Sequence, residues 1–191
     1  DEQGFTIDDI LVYQAAPDDY YVIVNAGNIK RDYEAFKRYA PENVLLEDRS
    51  DKLACIAIQG PRSEAVLVRI FGFKLDDLGY YFFKEGSYSG SPLWISRSGY
   101  TGEDGFEIFC SNELAVSVWK KLMDAGEKEG IRPIGLGARN TLRLEAGNAL
   151  YGNELHDTTT PLEAGLGWAV ALNKKDGFVG RDMLLVQKEK G

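Results

Sequence analysis

With 191 residues, 44% of them apolar and 27% charged, the chain has the composition of an ordinary globular protein, with room for one large domain or two small lobes. Thirty acidic against 22 basic residues leave a net charge of −8, which argues against nucleic acid or an anionic membrane surface as the main partner. One histidine, His156 in a polar loop, and two widely separated cysteines, Cys55 and Cys110, exclude a clustered Cys/His metal site and give a Ser-His-Asp triad little to stand on. No metal is expected, and no apolar run approaches the ~20 residues of a membrane-spanning helix.

In chain order, Phe5, Ile7, Asp9, Leu11 and Tyr13 alternate with Thr6, Asp8, Ile10 and Val12. Apolar groups on both faces predict a strand covered on both sides, with Asp9 beside Leu11 and Tyr13 and with Asp8 on the opposite face. A strand so near residue 1 suggests the interior of a longer chain. After the turn at Ala16 to Asp19, Tyr20 to Asn25 returns as the second strand of a hairpin. Asn28 is placed to cap a helix through Tyr39, with Ile29, Tyr33, Phe36 and Ala40 on its inner stripe, and Pro41 stops it. Val44 to Leu46 and Leu53 to Gln59 read as strands, and Gly60-Pro61 opens a second helix. An irregular stretch from Gly72 to Gly90 holds a short strand at Tyr81 to Phe83. Cys55 and Cys110 sit in apolar strand-like runs and read as reduced core residues.

The middle of the chain is Ser96-Arg97-Ser98-Gly99-Tyr100-Thr101-Gly102-Glu103-Asp104-Gly105-Phe106-Glu107, set between the apolar run Leu93-Trp94-Ile95 and the alternating Phe106, Ile108 and Cys110. Its glycines predict a tight turn between two strands. Period 2 puts Glu107 on the face opposite Phe106, Ile108 and Cys110. By alternation alone Glu107 is either a solvated residue on the outer face of a hairpin or a carboxylate able to take two parallel N–H groups from a planar ligand edge. A helix follows from Ser111, with Leu114, Ala115, Val118, Leu122 and Ala125 inward. Gly135 to Ala146 is a further helix with Arg139 in its first turn and Arg143 one turn on. A cation there opposes the helix dipole, so Arg139 calls for a partner, either an internal carboxylate or an anionic ligand. Thr160-Pro161-Leu162-Glu163 has the form of a capping box, Trp168 to Leu172 that of a strand, and Arg181 to Lys190 that of a terminal helix. The succession predicts an α+β fold of largely antiparallel sheets with packed helices, compatible with a degenerate internal duplication: one unit over 1–60, another over 61–191.

The Gly-rich block and the downstream Gly135-Leu136-Gly137-Ala138-Arg139-Asn140-Thr141-Leu142-Arg143-Leu144-Glu145-Ala146-Gly147 together resemble the T-protein of the glycine cleavage system, a tetrahydrofolate-dependent aminomethyltransferase. The resemblance covers essentially the whole chain, although T-proteins extend beyond it at both ends, with a β-barrel following. It implies a catalytic aspartate at Asp9, within Phe5 to Tyr13. It also implies a folate pocket formed by Leu11, Tyr13, Asn25, Tyr100, Glu107 and Arg139, with Glu107 on the pterin edge and Arg139 on the acidic tail. The family reads G-A-R-D where this chain has Gly137-Ala138-Arg139-Asn140; Asn keeps an acceptor and loses the counter-charge.

The reaction so implied passes a one-carbon unit from the aminomethyl-lipoyl arm of the carrier H-protein to tetrahydrofolate and releases ammonia. The residues in hand, taken alone, are expected to be inactive. The implied compartment is the bacterial cytoplasm, or the mitochondrial matrix of a eukaryote, with the cytoplasm preferred. Alternatives are another folate-dependent one-carbon enzyme of the same superfamily, such as a demethylase or the folate domain of sarcosine or dimethylglycine oxidase, and a non-enzymatic folate-binding relative. Asp9 and the wording of the Gly-rich block favour the T-protein; the non-enzymatic branch carries a K-G-C-Y-x-G-Q-E block that this chain lacks.

Overall fold

The structure, a computed structural model, describes residues 1–72 and 74–190. It consists of two units, Asp1–Glu47 with Ala149–Gly191, and Asp48–Asn148. A boundary at residue 60 does not coincide with this division. The strand Leu53–Gln59 pairs with Gly105–Ser111 and so belongs to the second unit, and the chain returns to the first unit after Asn148.

In the first unit, strands β1 (Leu11–Ala16) and β2 (Asp19–Ile23) form an antiparallel hairpin in which Leu11 faces Ile23 and Tyr13 faces Tyr21. The strand expected from Phe5 begins only at Leu11, because residues 5–10 make no ladder; Thr6 instead donates its N–H to the Thr159 carbonyl at 3.0 Å. Helix α1 (Ile29–Tyr39) forms as read, and Pro41 follows its C-cap. The fully buried side chain of α1 is not apolar: it is Asp32. Val44 to Leu46 pairs with nothing and is not a strand. The Thr160–Glu163 box closes reciprocally, Thr160 N–H to Glu163 Oε2 at 2.8 Å and Glu163 N–H to Thr160 Oγ1 at 3.2 Å, over a single turn. Trp168, expected in a strand, lies instead in a 3-10 turn (Gly167–Ala169) and is exposed.

The second unit is a four-stranded antiparallel sheet in the order β3 (Leu53–Gln59), β6 (Gly105–Ser111), β5 (Ser91–Ser96), β4 (Phe83–Tyr88). Strand β4 starts later than the sequence suggests, since Tyr81 has a left-handed φ of 64°. Helices α2 (Ser63–Phe71) and α3 (Asn112–Gly126) cover one face, where Ile56, Ile58, Leu93, Ile95, Phe106 and Ile108 meet Val66, Leu67, Val118 and Leu122. Burying such side chains contributes roughly 1.5–3 kcal/mol each. The opposite face carries Trp94 stacked on Phe109 at 3.8 Å between ring centroids, and a row Ala57–Glu107–Ser96 across three strands. Helix α4 (Leu136–Glu145) follows, with Gly135 at its N-cap.

The Gly-rich connection between β5 and β6 is held by a residue outside it. Gln59, the last residue of β3, donates from Nε2 to the carbonyls of Ser98 (3.1 Å) and Phe106 (3.2 Å), and its Oε1 accepts from Thr101 Oγ1 (3.3 Å). One amide thus ties together the two ends of the turn. Room for it exists only because Gly99 and Gly105 lack side chains: a Cβ there would sit 1.9 Å and 2.4 Å from the Gln59 amide. Gly99→Ala or Gly105→Ala should therefore expel the Gln59 amide and cost about 1–3 kcal/mol, the range for orphaning buried polar groups. In a Gln59→Ala background either change should cost much less, and urea unfolding of the four proteins in each cycle measures the coupling. Equal costs in both backgrounds would refute the amide clip.

Candidate functional site

The residues singled out in the sequence fall into two clusters, one in each unit. In the second unit, Glu107 projects from the face that the helices α2 and α3 do not cover, flanked by the small side chains of Ala57 and Ser96. Its Oε2 accepts a 2.5 Å hydrogen bond from Ser98 Oγ, and Ser98 Oγ lies 2.7 Å from Ser96 Oγ. Because the Ser98 proton is given to Glu107, Ser96 supplies the proton between the two hydroxyls. Both serines are fully buried. The relay fixes the carboxylate's rotamer from below.

Glu107 lines a cavity of about 550 Å³, together with Gln59, Tyr100, Thr101 and Arg139. That volume suits a drug-sized organic ligand. The Arg139 guanidinium stands 4.7 Å from the centre of the Tyr100 ring. Among the described residues no carboxylate lies within ion-pair distance of it. The partner that helix electrostatics demands is thus an aromatic face, which leaves the cation's charge uncompensated. The next arginine along the helix is different: Arg143 is buried and donates from Nε to Asn140 Oδ1 at 2.8 Å. Asn140 therefore orients Arg143 as an acceptor.

Two further residues of the block are structural. Asp104 accepts two hydrogen bonds from Arg97, at 2.9 and 2.8 Å, and Glu64 stands 3.1 Å from the same guanidinium. Of the cysteines, Cys110 is in the core as expected, but Cys55 is accessible, on the Glu107 face of the edge strand β3. Burial and the nearby Glu107 charge push its thiol up to about 12, so it stays protonated and is no nucleophile.

In the first unit the expected strand alternation fails at Asp8 and Asp9, which precede β1. Both carboxyls reach one residue, Asn25, whose Nδ2 donates to Asp8 Oδ1 (2.8 Å) and to Asp9 Oδ1 (2.7 Å). Tyr13 is buried and Leu11 half-buried on β1 beside them. Asn28, expected to cap α1, makes no side-chain cap and donates to Asp8 Oδ1 at 2.9 Å. Burial works against ionised Asp8, but hydrogen bonds from Asn25, Asp32 and Asn28 outweigh it and hold this carboxyl below its usual range. Burial pushes Asp9 upward, and the Asp8 charge adds to it.

Asp32 was not visible as a functional residue in the sequence. Only 3% exposed, it hydrogen-bonds Asp8, and desolvation together with that bond and the Asp8 charge push it up to about 7. A cavity of about 380 Å³ with walls such as Ile7, Ile10 and Phe36 adjoins both acids. The signal available was a carboxylate three residues after Ile29 and four before Phe36, on the helical stripe meant to be apolar. Gln59 and Ser98 were missed similarly; the clue was glycine or serine wherever β3, β5 and β6 meet the turn.

The comparisons with known proteins agree with one another. Residues 1–174 match the GCVT N-terminal domain family. The chain is 48% identical over 188 residues to an aminomethyltransferase of Chloroherpeton thalassium, covering 98% of this chain and 52% of the relative. To an aminomethyltransferase of Bacillus cytotoxicus it is 43% identical over 191 residues, covering 100% and 52%. The crystal structure of glycine cleavage system aminomethyltransferase T from Bartonella henselae superposes with a TM-score of 0.86 at 34% identity, over 100% of this chain and 51% of that one. The chain thus spans about half the length of the curated relatives it matches.

A pH dependence of stability follows from Asp32. Its folded-state value lies above the ordinary 3.8, so the native state binds the proton more tightly. The stability it contributes is present below that ordinary value and is lost as pH rises through about 7. Asp9 shifts in the same direction. Urea titrations should find the parent less stable at about pH 8 than at about pH 5, and Asp32→Asn should flatten the difference. An unchanged slope in the variant would show that Asp32 is not the titrating group.

Proposed function

Since the chain belongs to the GCVT N-terminal domain family, we propose that it forms the folate-binding part of an aminomethyltransferase of the glycine cleavage system. The observation that carries this reading is Glu107, a carboxylate pinned by a buried hydroxyl relay on the wall of a cavity that also holds an aromatic ring and a cation without an acid partner. A pterin offers adjacent N–H donors on one planar edge, and the glutamyl tail of a folate is anionic. The residues present fit both ends: Glu107 Oε1 and Oε2 accept from the edge, and Arg139 receives the tail. Tetrahydrofolate supplies the nitrogens that accept the one-carbon unit.

The rest of the reading assigns tasks to this chain's own groups. Tyr100 supplies an aromatic wall for a flat heterocycle in the second unit; in the first, Leu11 and Tyr13 supply apolar ones. Asn25 holds the Asp9 carboxyl, and Asp9 takes up a proton and faces positive charge as the carbon–nitrogen bond to the departing amine breaks. The one-carbon unit bonds to both folate nitrogens as its bonds to the lipoyl sulfur and to the amine break; the two protons those nitrogens give up, one by way of Asp9, leave on the thiol and on ammonia. Orientation of the reactants accounts for most of the acceleration. The lipoyl-bearing carrier H-protein is the partner in this reading, and the bacterial cytoplasm is the compartment suggested by relatives from bacteria. Among the described residues no helix is long and apolar enough to cross a membrane.

The test uses a protein of the relatives' full length that carries this sequence. Glu107→Gln presents an NH₂ group to the pterin donors and should weaken tetrahydrofolate binding in calorimetry by about 30-fold or more, since breaking a desolvated charged pair costs roughly 2–5 kcal/mol. Glu103→Gln, at an exposed position of the same turn, should change it little. Asp9→Asn should lower turnover by about 10²-fold while leaving folate affinity nearly intact. Equal losses of binding at Glu107 and Glu103 would remove the pterin assignment, and an active Asp9→Asn enzyme would remove the catalytic one.

A further inference from the structure

Asp8 has no task in the reaction above, yet its carboxylate is fully engaged. It accepts the backbone N–H of Asn25 on Oδ2 at 3.0 Å, the side-chain amide of Asn25 on Oδ1 at 2.8 Å, that of Asn28 at 2.9 Å, and a hydrogen bond from Asp32. The first two contacts come from one residue, so Asn25 is gripped by its main chain and its side chain at once.

That grip decides a polarity. A carboxamide has a donor end and an acceptor end of nearly the same shape, and only the donor end can face a carboxylate favourably. With one N–H of Asn25 committed to Asp8, the other falls on Asp9, at 2.7 Å from Oδ1 and 3.2 Å from its carbonyl. We propose that Asp8 is the positioning residue of Asp9: it clamps Asn25 so that the amide offers N–H to the catalytic carboxylate and fixes its rotamer. This rests on the reading of Asp9 as the acid–base group and assigns to its neighbour a task that strand alternation would deny it.

The other groups around the pair are consistent with this role. Asp32 on α1 hydrogen-bonds Asp8, Arg31 on the same helix acts on Asp32, and Tyr151 offers its backbone N–H to Asp9. Asp32 thus buttresses Asp8 from the interior, while the two oxygens of Asp8 are taken up by Asn25, Asn28 and Asp32.

The experiment is a double-mutant cycle in a protein of the relatives' full length carrying this sequence, with kcat, the KM for tetrahydrofolate and the Asp9 titration followed by carbon-detected NMR. Asp8→Asn should lower kcat about 10-fold with KM within about twofold, because the clamp is lost while the pocket is not. Asn25→Ala should raise the pH at which Asp9 titrates, since a hydrogen bond to its ionised form is removed. In the Asn25→Ala background, Asp8→Asn should cost little more. Independent, additive losses, an unmoved Asp9 titration in Asn25→Ala, or full kcat in Asp8→Asn would each overturn the clamp. Should Asp8→Asn not fold, Asp8→Glu takes its place in the cycle, keeping the charge and displacing the grip, with the same outcomes expected. The two readings fail separately. An active Asp9→Asn enzyme defeats the catalytic role of Asp9; a silent Asp9→Asn enzyme with unslowed Asp8 variants defeats the clamp alone.

Discussion

One side-chain amide organises the second unit. Gln59 sits at the end of an edge strand and binds the carbonyls on both sides of a turn that would otherwise be free to open. Tyr100 lies within the span it closes, and Glu107 begins one residue beyond it. The ion pair of Arg97 with Asp104 braces the same turn from its other side. A glycine-rich loop is entropically costly to order, and here it is ordered from outside the loop, by an amide on a neighbouring strand and by an ion pair. The rigidity of the cavity wall is thus a property of β3 as much as of the turn.

The sequence carried the helices and the inner strands well, because their periodicity is set by burial on one face. It carried Glu107 too, since alternation against Phe106 and Ile108 leaves one direction for the side chain. It was silent where side chains hydrogen-bond across elements. Nothing local marks Gln59 as a clip, and the reason for Gly99 and Gly105 becomes clear only once the amide lies between them. The alternating pattern of Phe5 to Tyr13 misled for a related reason: a ladder needs a partner strand, and residues 5–10 have none, so Asp8 and Asp9 are free to turn toward one amide. Trp168 to Leu172 failed likewise, an apolar run that turns instead of pairing.

The two clusters hold their carboxyl groups in different ways. Around Glu107 a buried hydroxyl relay holds the carboxyl group in place. Around Asp8 three carboxyl groups are crowded together, and the strain is relieved by a proton on Asp32 and by amide donors from Asn25 and Asn28. Like charges at close range cannot all ionise. The acid with least access to water, Asp32, is the one whose proton is held most tightly, and burial together with the Asp8 charge makes ionisation of Asp9 harder.

The row Ala57–Glu107–Ser96 has a meaning beyond packing. Ser96 lies buried and holds the carboxylate from beneath through Ser98, whereas Ala57, with one side-chain heavy atom, stands in the cavity wall beside it. A valine or leucine at position 57 would add methyl groups in the cavity wall itself, narrowing the space beside Glu107 without adding any charge. One small neighbour on the edge strand thereby acts as a caliper: the room beside Glu107 is written in the volume of an alanine.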